Sequence, residues 1–496
     1  MIVAVWVRET VILFTGPMST DSILVRGLGP VATTAIVVGN VIGTGVFLKS
    51  RVMTCNVGTP SRVIAVWIAA GVLSLAGALT YAELAAMWPR AGGEYVFIRN
   101  AYSCRLAFLF GWMRFFASGA GSLAALAVGF AIFLNVLLTG ALDVTYFTLD
   151  LPGYRVPFGN LQLVALAAIA FVTIVNCASV SVGGKFAIVL TAIKVGSIVA
   201  LGVGVLMFAR GTWANFFLQD TGGACEGVAG AARGGSAGFA AAMLGALWAY
   251  NGWNEMTFVS GEVKNPQRNI PIALATGMII CMVLYVFVNT TYFYVLTPTD
   301  VANVPATSSV AAVAVQTFLG EITIALMAAA MMISTLGALH TSTMANSRIP
   351  FAMAKDGLFP KPLAHVSERT HVPVRALIVQ GIWAGVLALS GSYDTLTDYV
   401  VFVNWIFFGL VIFSIFLIRR RVPSSEGGYR AWGYPVVPLL FLLTTAWLLV
   451  STLITSPVRS LIGLGLVALG IPVYHYWTLP RPATSQTDST RSPRAP

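Results

Sequence analysis

Charge is what this sequence has least of: 9% of its 496 residues are Asp, Glu, Lys or Arg, against about 25% in soluble globular domains. So few charges cannot cover a water-soluble surface of this size, which makes lipid the solvent for most of the chain. Metal chemistry is equally poorly supplied. The five cysteines (Cys55, Cys104, Cys177, Cys225, Cys281) form no CxxC pair, and His340, His365, His371 and His475 are scattered, so neither a metal nor another cofactor is expected. There is no HExxH or GxSxG motif and no pair of intramembrane aspartates, since Asp143, Asp150, Asp220 and Asp300 all fall in outer segments. That excludes the usual intramembrane enzymes. No loop exceeds about 30 residues, too short for the soluble domain of a membrane sensor. No basic stripe with interleaved aromatics lies outside the apolar runs, so no nucleic-acid partner is expected.

Hydrophobic residues make up 57% of the chain and the mean hydropathy is +0.83. At roughly 20 residues per crossing, the apolar runs read as about twelve spans: 30–50, 62–87, 106–138, 158–178, 186–209, 237–259, 271–296, 316–346, 374–391, 396–418, 435–455 and 459–478. They lack the alternation of a membrane β-barrel. The expected fold class is an all-α polytopic membrane protein with one transmembrane domain over 30–478. A cytoplasmic segment, 1–29, precedes it, and a Pro-, Ser- and Thr-rich disordered tail, 479–496, follows. Met1–Thr20 has no basic start and no cleavage site, so it does not read as a signal peptide; translation starting at Met18 is a second reading of this end.

With both termini in the cytoplasm, twenty of the 29 Lys and Arg fall in cytoplasmic segments, seven in outer ones, and Arg114 and Lys194 within spans. This matches the positive-inside bias of an inner-membrane protein. The net charge of +11 then reports topology and contact with anionic membrane lipid. Cys55 and Cys225 both fall in expected outer loops, where either a disulfide or two free thiols is possible.

Two spans carry glycine-rich interruptions. The first is Gly39-Asn40-Val41-Ile42-Gly43-Thr44-Gly45-Val46-Phe47 and the second is Trp248-Ala249-Tyr250-Asn251-Gly252-Trp253-Asn254. They open the first and second groups of five spans, the pattern of inverted repeats with a substrate site at their interface. A break at Gly43-Thr44-Gly45 exposes N–H groups at a half-helix N-terminus, which suits a carboxylate. Carbonyls released around Tyr250-Asn251-Gly252 suit an ammonium group. Small residues spaced four apart can equally be a packing face, but two breaks in register favour a zwitterionic α-amino acid site.

The stretch Ile42-Gly43-Thr44-Gly45-Val46-Phe47 resembles the unwound first helix of the amino acid–polyamine–organocation superfamily. Trp248–Asn254, followed by Glu262-Val263-Lys264-Asn265-Pro266-Gln267-Arg268-Asn269-Ile270-Pro271, resembles its L-type amino acid transporter branch. Tyr81-Ala82-Glu83-Leu84, Pro89-Arg90-Ala91-Gly92-Gly93-Glu94-Tyr95, Ser347-Arg348, Ala354–Pro360 and Gly433-Tyr434-Pro435 continue the match in order over nearly the whole chain.

The resemblance implies twelve helices: a repeat over about 30–209, a second over about 237–418, and two extra helices over 435–478. It implies a secondary transporter, not an enzyme. Ile42, Gly43, Thr44, Gly45 and Val46 would face the substrate carboxylate. Trp248, Ala249, Tyr250, Asn251 and Gly252 would form the other wall, with Trp248 as an aromatic lid. Lys194, about eight residues into its span, would take the place of a coupling sodium ion, bridging span 1 carbonyls and the hydroxyls of Ser334 or Thr335. Asn404 could reach the cavity, or could instead make an interhelical hydrogen bond. Arg114 reads as an interfacial or gate residue, and His340 as a hydrogen-bonded interior histidine. Glu83, Glu94 and Glu262 would pair in gates or loops with the nearby Arg90, Arg99, Lys264 and Arg268.

Animal members join a heavy chain through a cysteine between spans 3 and 4. Thr139–Pro157 contains none, so no disulfide-linked partner is expected. The expected substrate is a small neutral L-amino acid, moved by exchange or proton-linked uptake without sodium. A cationic amino acid or polyamine is the alternative, for which Glu255 is the nearest carboxylate.

Overall fold

A computed structural model describes residues 24–151, 154–219, 223–305, 308–320, 322–390, 393–421, 428–455 and 457–478. The segment 1–23 with Met18, Asp220 and the tail 479–496 lie outside the described residues.

The chain folds as a bundle of apolar helices. Among the described residues, nine are long and apolar enough to cross a bilayer, or ten with one bent pair. The expected twelve are not reached on those criteria, because Gly235–Ala249 has only 15 residues and Val374–Ser390 only 17. The chain is nonetheless a multi-pass, all-α membrane protein.

The bent pair is span 1. Helix α1 (Pro30–Val41) starts on Pro30, whose missing N–H costs nothing at a first turn, and stops where Ile42 turns extended at φ −78°, ψ 95°. Helix α2 (Gly45–Val57) leaves at 43° to it and ends on left-handed Gly58. Cys55 therefore sits on the last turn of a helix and not in a loop, because Lys49, Ser50 and Arg51 do not end the span. The buried Ser50 hydroxyl bonds Asn289, and the Arg51 guanidinium reaches the Glu226 carbonyl at 2.7 Å.

Helix α3 (Pro60–Met87) is followed by the short α4 (Glu94–Ala101). Helix α5 (Cys104–Met113) runs through a π-turn at Arg114–Ser118 into α6 (Gly119–Leu137). Strands β1 (Thr145–Leu151) and β2 (Tyr154–Gly159) then form an antiparallel hairpin that the apolar-run reading did not anticipate. Helices α7 (Asn160–Ala178) and α8 (Val180–Phe208) follow. Ser179 caps α8, so it begins six residues earlier than the expected 186, and Lys194 lies at its middle.

Span 6 is α9 (Gly235–Ala249), a break at Tyr250–Gly252, and a 3-10 stretch over Trp253–Glu262. Helix α10 (Pro266–Val295) packs against α3 and α1. Beyond α11 (Pro298–Asn303), α12 (Val310–Leu319) is separate from α13 (Ile322–Asn346). The expected span 316–346 had merged them, but Gly320 at φ +61° breaks the run. The chain closes with α14 (Arg348–Lys355), α15 (Val374–Ser390), α16 (Tyr393–Arg421), α17 (Val436–Thr455), α18 (Pro457–Ala468) and α19 (Gly470–Thr478).

The core centres on the broken spans. Rings of Trp67, Tyr250 and Tyr285 meet at centroid distances of 4.9–5.9 Å, and all three side chains are buried. Such aromatic pairs add about 0.5–1.5 kcal/mol each beyond area burial, so the wall behind the breaks is rigid.

Cys55 and Cys225 form a disulfide with Cα atoms 5.7 Å apart. Beside it, Asn56 donates to the Ala232 carbonyl at 2.6 Å and accepts from the Gly234 N–H at 2.7 Å. The segment before α9 is thereby stapled to the end of α2.

Candidate functional site

The two breaks touch. Gly252, at φ +115°, approaches so closely that a Cβ there would stand 2.8 Å from the Asn40 carbonyl oxygen. A Cβ on Gly45 would stand 2.6 Å from that of Ala249. Only glycine permits this backbone contact. Tyr285 of α10 bridges both interruptions, its hydroxyl lying 3.0 Å from the carbonyls of Val41 and of Ala249. Nothing in the glycine-rich motifs signals that tyrosine.

A cavity of about 770 Å³ opens beside the breaks. Gly43, Thr44, Gly45, Trp248, Ala249, Asn251, Gly252 and Asn404 line it, and so does Thr335, expected beside Lys194. Asn40, Ser118, Ser342 and an aromatic wall of Phe402, Trp405 and Phe408 also line it; their cavity-facing sides could not be told from lipid-facing ones without the helix rotations. The N-terminus of α2 lies at this cavity, and Thr44 provides no side-chain cap. The first N–H groups of a helix have no intrahelical partner, so this end attracts an anion.

Three expected wall residues are not on the cavity. Ile42 and Val46 are fully buried. Tyr250 is buried too, its hydroxyl donating to the Trp67 carbonyl at 3.1 Å. The irregular backbone of the breaks turns these side chains into the core, and only the backbone of Ile42 participates. Trp248 is 45% exposed and lies under the Lys49 ammonium, 4.5 Å from the ring centroid.

Lys194 is buried and donates to the carbonyls of Gly39 at 2.9 Å and Ile42 at 2.6 Å. These are carbonyls that the break withdraws from the helix, since the Gly43 N–H turns to Val41 O instead. The expected bridge to a hydroxyl is corrected. Ser334 shares the Ile42 carbonyl at 3.2 Å and also reaches Gly43 O, whereas Thr335 bonds back to Met331 and Met332 of its own helix.

Arg114, at the π-turn, is not interfacial but buried. Its guanidinium bonds Glu255 at 2.6 Å and Asn346 at 2.7 Å, and Ser342 donates to the other Glu255 oxygen at 2.8 Å. Among the described lining residues Glu255 is the single carboxylate, and Arg114 neutralises it.

The expected ion pairs take other partners. Glu83 binds Arg419, Glu262 binds Arg348, and Arg99 binds Asp356. Helical neighbours in sequence lose to residues that the fold brings across. Glu94 forms no ion pair among the described residues; it accepts from the Asn254 amide at 2.9 Å. His340 is the interior histidine expected, with ring nitrogens at Asn176 and at the Gly183 carbonyl.

The profile of the amino acid permease family matches residues 28–469. The chain is 26% identical to the serine/threonine exchanger SteT of Bacillus subtilis, covering 92% of this chain and 97% of that one. It is 28% identical to mouse b(0,+)-type amino acid transporter 1, over 88% and 84% of the two chains. It is also 28% identical to the human large neutral amino acids transporter small subunit 2, over 92% and 81%. The chain belongs to the amino acid permease family.

Proposed function

We propose that this amino acid permease moves small neutral L-amino acids across a bacterial inner membrane, by sodium-independent exchange or proton-linked uptake. It does so by alternating access, with both termini in the cytoplasm. The observation that carries the reading is the uncapped N-terminus of α2, with Gly43, Thr44 and Gly45 at the cavity wall, where a substrate carboxylate would take the open N–H groups. Trp248, Ala249, Asn251 and Gly252 form the facing wall for the amino group and side chain, and Asn404 supplies a further polar contact. Trp248 acts as the lid.

Neutral side chains are favoured because Arg114 already satisfies the cavity's carboxylate, Glu255. A cationic substrate would have to displace that guanidinium. The Lys194 ammonium sits on the Gly39 and Ile42 carbonyls, where it does a metal cation's work of holding the broken helix and leaves no room for sodium. Ser334 supports the same carbonyl, and Thr335 faces the cavity. Two of the relatives are named for serine, threonine and large neutral amino acids, in keeping with the same class. The inverted repeats over 30–209 and 237–418 would rock about the paired breaks, the helices of 435–478 lying outside them. No disulfide-linked heavy chain is needed.

Uptake of labelled alanine, serine, leucine and arginine into proteoliposomes tests this reading. Uptake of neutral substrates that depends on a preloaded lumen or on a pH gradient supports it. Uptake of arginine alone overturns the neutral class.

A further inference from the structure

Beneath the Arg114–Glu255 layer lies a carboxyl that the substrate site does not use. Glu94 opens helix α4, between two spans, and is 1% exposed. It touches the segment that moves if span 6 moves: Asn254, within the 3-10 stretch after the break, donates to its Oε1 at 2.9 Å. Tyr81 of α3 lies beside it, and its buried hydroxyl has the Glu94 carboxyl as its hydrogen-bonding neighbour. Gly93, just before it, is wedged under the same stretch, where a Cβ would stand 2.5 Å from the Thr257 hydroxyl.

The charged groups that act on Glu94 are Arg114 and Glu255, which are bonded to each other. Four other cations around the short helix are committed elsewhere: Arg99 to Asp356, Arg348 to Glu262, Arg419 to Glu83, and Arg421 to the Ala101 carbonyl. A carboxylate left in an apolar interior without a cation is expensive, and the usual relief is to bind a proton.

We propose that Glu94 is a proton-binding site coupled to the inner gate, protonated while the Arg114–Glu255 layer is closed and deprotonated when the Trp253–Glu262 segment moves off it. On opening, water reaches the carboxyl, its O–H bond breaks, and the proton leaves to that water; on closing, the reverse occurs. The Tyr81 hydroxyl and the Asn254 amide are the groups that hold the carboxyl in place in the closed form. Burial is the largest influence on Glu94 and lifts its pKa to about 7, with Arg114 and the hydrogen bonds from Tyr81 and Asn254 pulling in the opposite direction and Glu255 adding to the rise. The site therefore titrates inside the physiological range.

The inference rests on the transport reading for its role but not for its detection. Full-length chain in proteoliposomes is assayed for exchange of labelled serine at equal pH on both sides, from about pH 6 to about pH 8. A single site with a midpoint near 7 changes its ionised fraction roughly tenfold over that range, so wild-type exchange is expected to rise by up to that factor. Glu94→Gln, which keeps the shape of the protonated form, is expected to flatten the profile to within about twofold. A Gln variant that keeps the wild-type profile overturns the proposal.

Infrared difference spectra of the purified chain supply the second readout. A protonated-carboxyl band present at the low pH, lost at the high pH and missing from Glu94→Gln supports the site, and the lack of any such difference between the two proteins overturns it. If neither protein moves any amino acid, the transport reading fails, and the infrared result alone decides the proton site.

Discussion

Replacing Lys194 by methionine keeps the length and most of the volume of the side chain and removes its donors. The structure sets what is lost. Gly39 O holds a charge-assisted bond of 2.9 Å and has no helical successor, because Gly43 N–H points at Val41 O. Ile42 O loses its 2.6 Å bond but retains the Ser334 hydroxyl at 3.2 Å. Hydrogen bonds to a charged group contribute about 1.5–3 kcal/mol each, so the broken conformation loses about 3 kcal/mol once Ser334 has taken over at Ile42. Removing a buried ammonium also relieves a desolvation cost of several kcal/mol.

These two changes act on different quantities. Global stability changes little or rises, while the open backbone at Gly43–Gly45 loses the cation that props it apart. At 1.4 kcal/mol per decade, exchange should fall roughly 100-fold. Initial exchange rates in proteoliposomes, matched for protein and accompanied by a melting curve, measure both. Lys194→Met within twofold of the wild-type rate refutes the reasoning. Combining it with Ser334→Ala should cost less or more than the sum of the two, because both side chains serve the Ile42 carbonyl.

Gly252→Ala places a Cβ 2.8 Å from Asn40 O in a left-handed conformation; binding of neutral substrate should weaken by tenfold or more, or the protein should fail to accumulate, as read by ligand-dependent melting and expression. Cys55→Ser opens the disulfide to Cys225 across a separation of 170 residues, and should lower stability by about 2–4 kcal/mol, seen as a fall in Tm under non-reducing conditions that reductant reproduces in the wild type. Burial raises the Glu94 carboxyl from 4.5 to about 7, so between those values the folded chain holds a proton that the unfolded chain has released. Stability therefore falls as pH rises through that window and levels off above it. Tm measured against pH should show this fall in the wild type and lose it in Glu94→Gln.

The glycine motifs made the breaks legible because an interrupted apolar helix has few other reasons to exist. Lys194 was legible because a lysine at that depth must have partners. The partners themselves were not: Tyr285 across both breaks, Arg114 on Glu255, and Arg419 on Glu83 join residues far apart in sequence, and no local pattern encodes which helices meet. Side-chain direction at the break failed for a related reason. Ile42, Val46 and Tyr250 stand in the motifs beside cavity residues, yet irregular backbone has no period from which to tell in from out. The span ends fared better where proline opens the helix, as at Pro30 and Pro60, than where polar residues lay inside the helix, as at Lys49–Arg51. The hairpin Thr145–Gly159 was not legible because its two strands, of seven and six residues, are too short to stand out from a loop between apolar runs.

The proposed transport requires an α-amino acid held between the two breaks by its own carboxylate and amino groups. The most direct measurement is exchange of labelled serine into proteoliposomes preloaded with serine, competed in turn by alanine, by its decarboxylated amine and by its N-acetylated form. Competition by alanine, and by neither analogue, is the predicted result. Equal competition by the amine would show that the N-terminus of α2 does not bind a carboxylate, and would contradict the account.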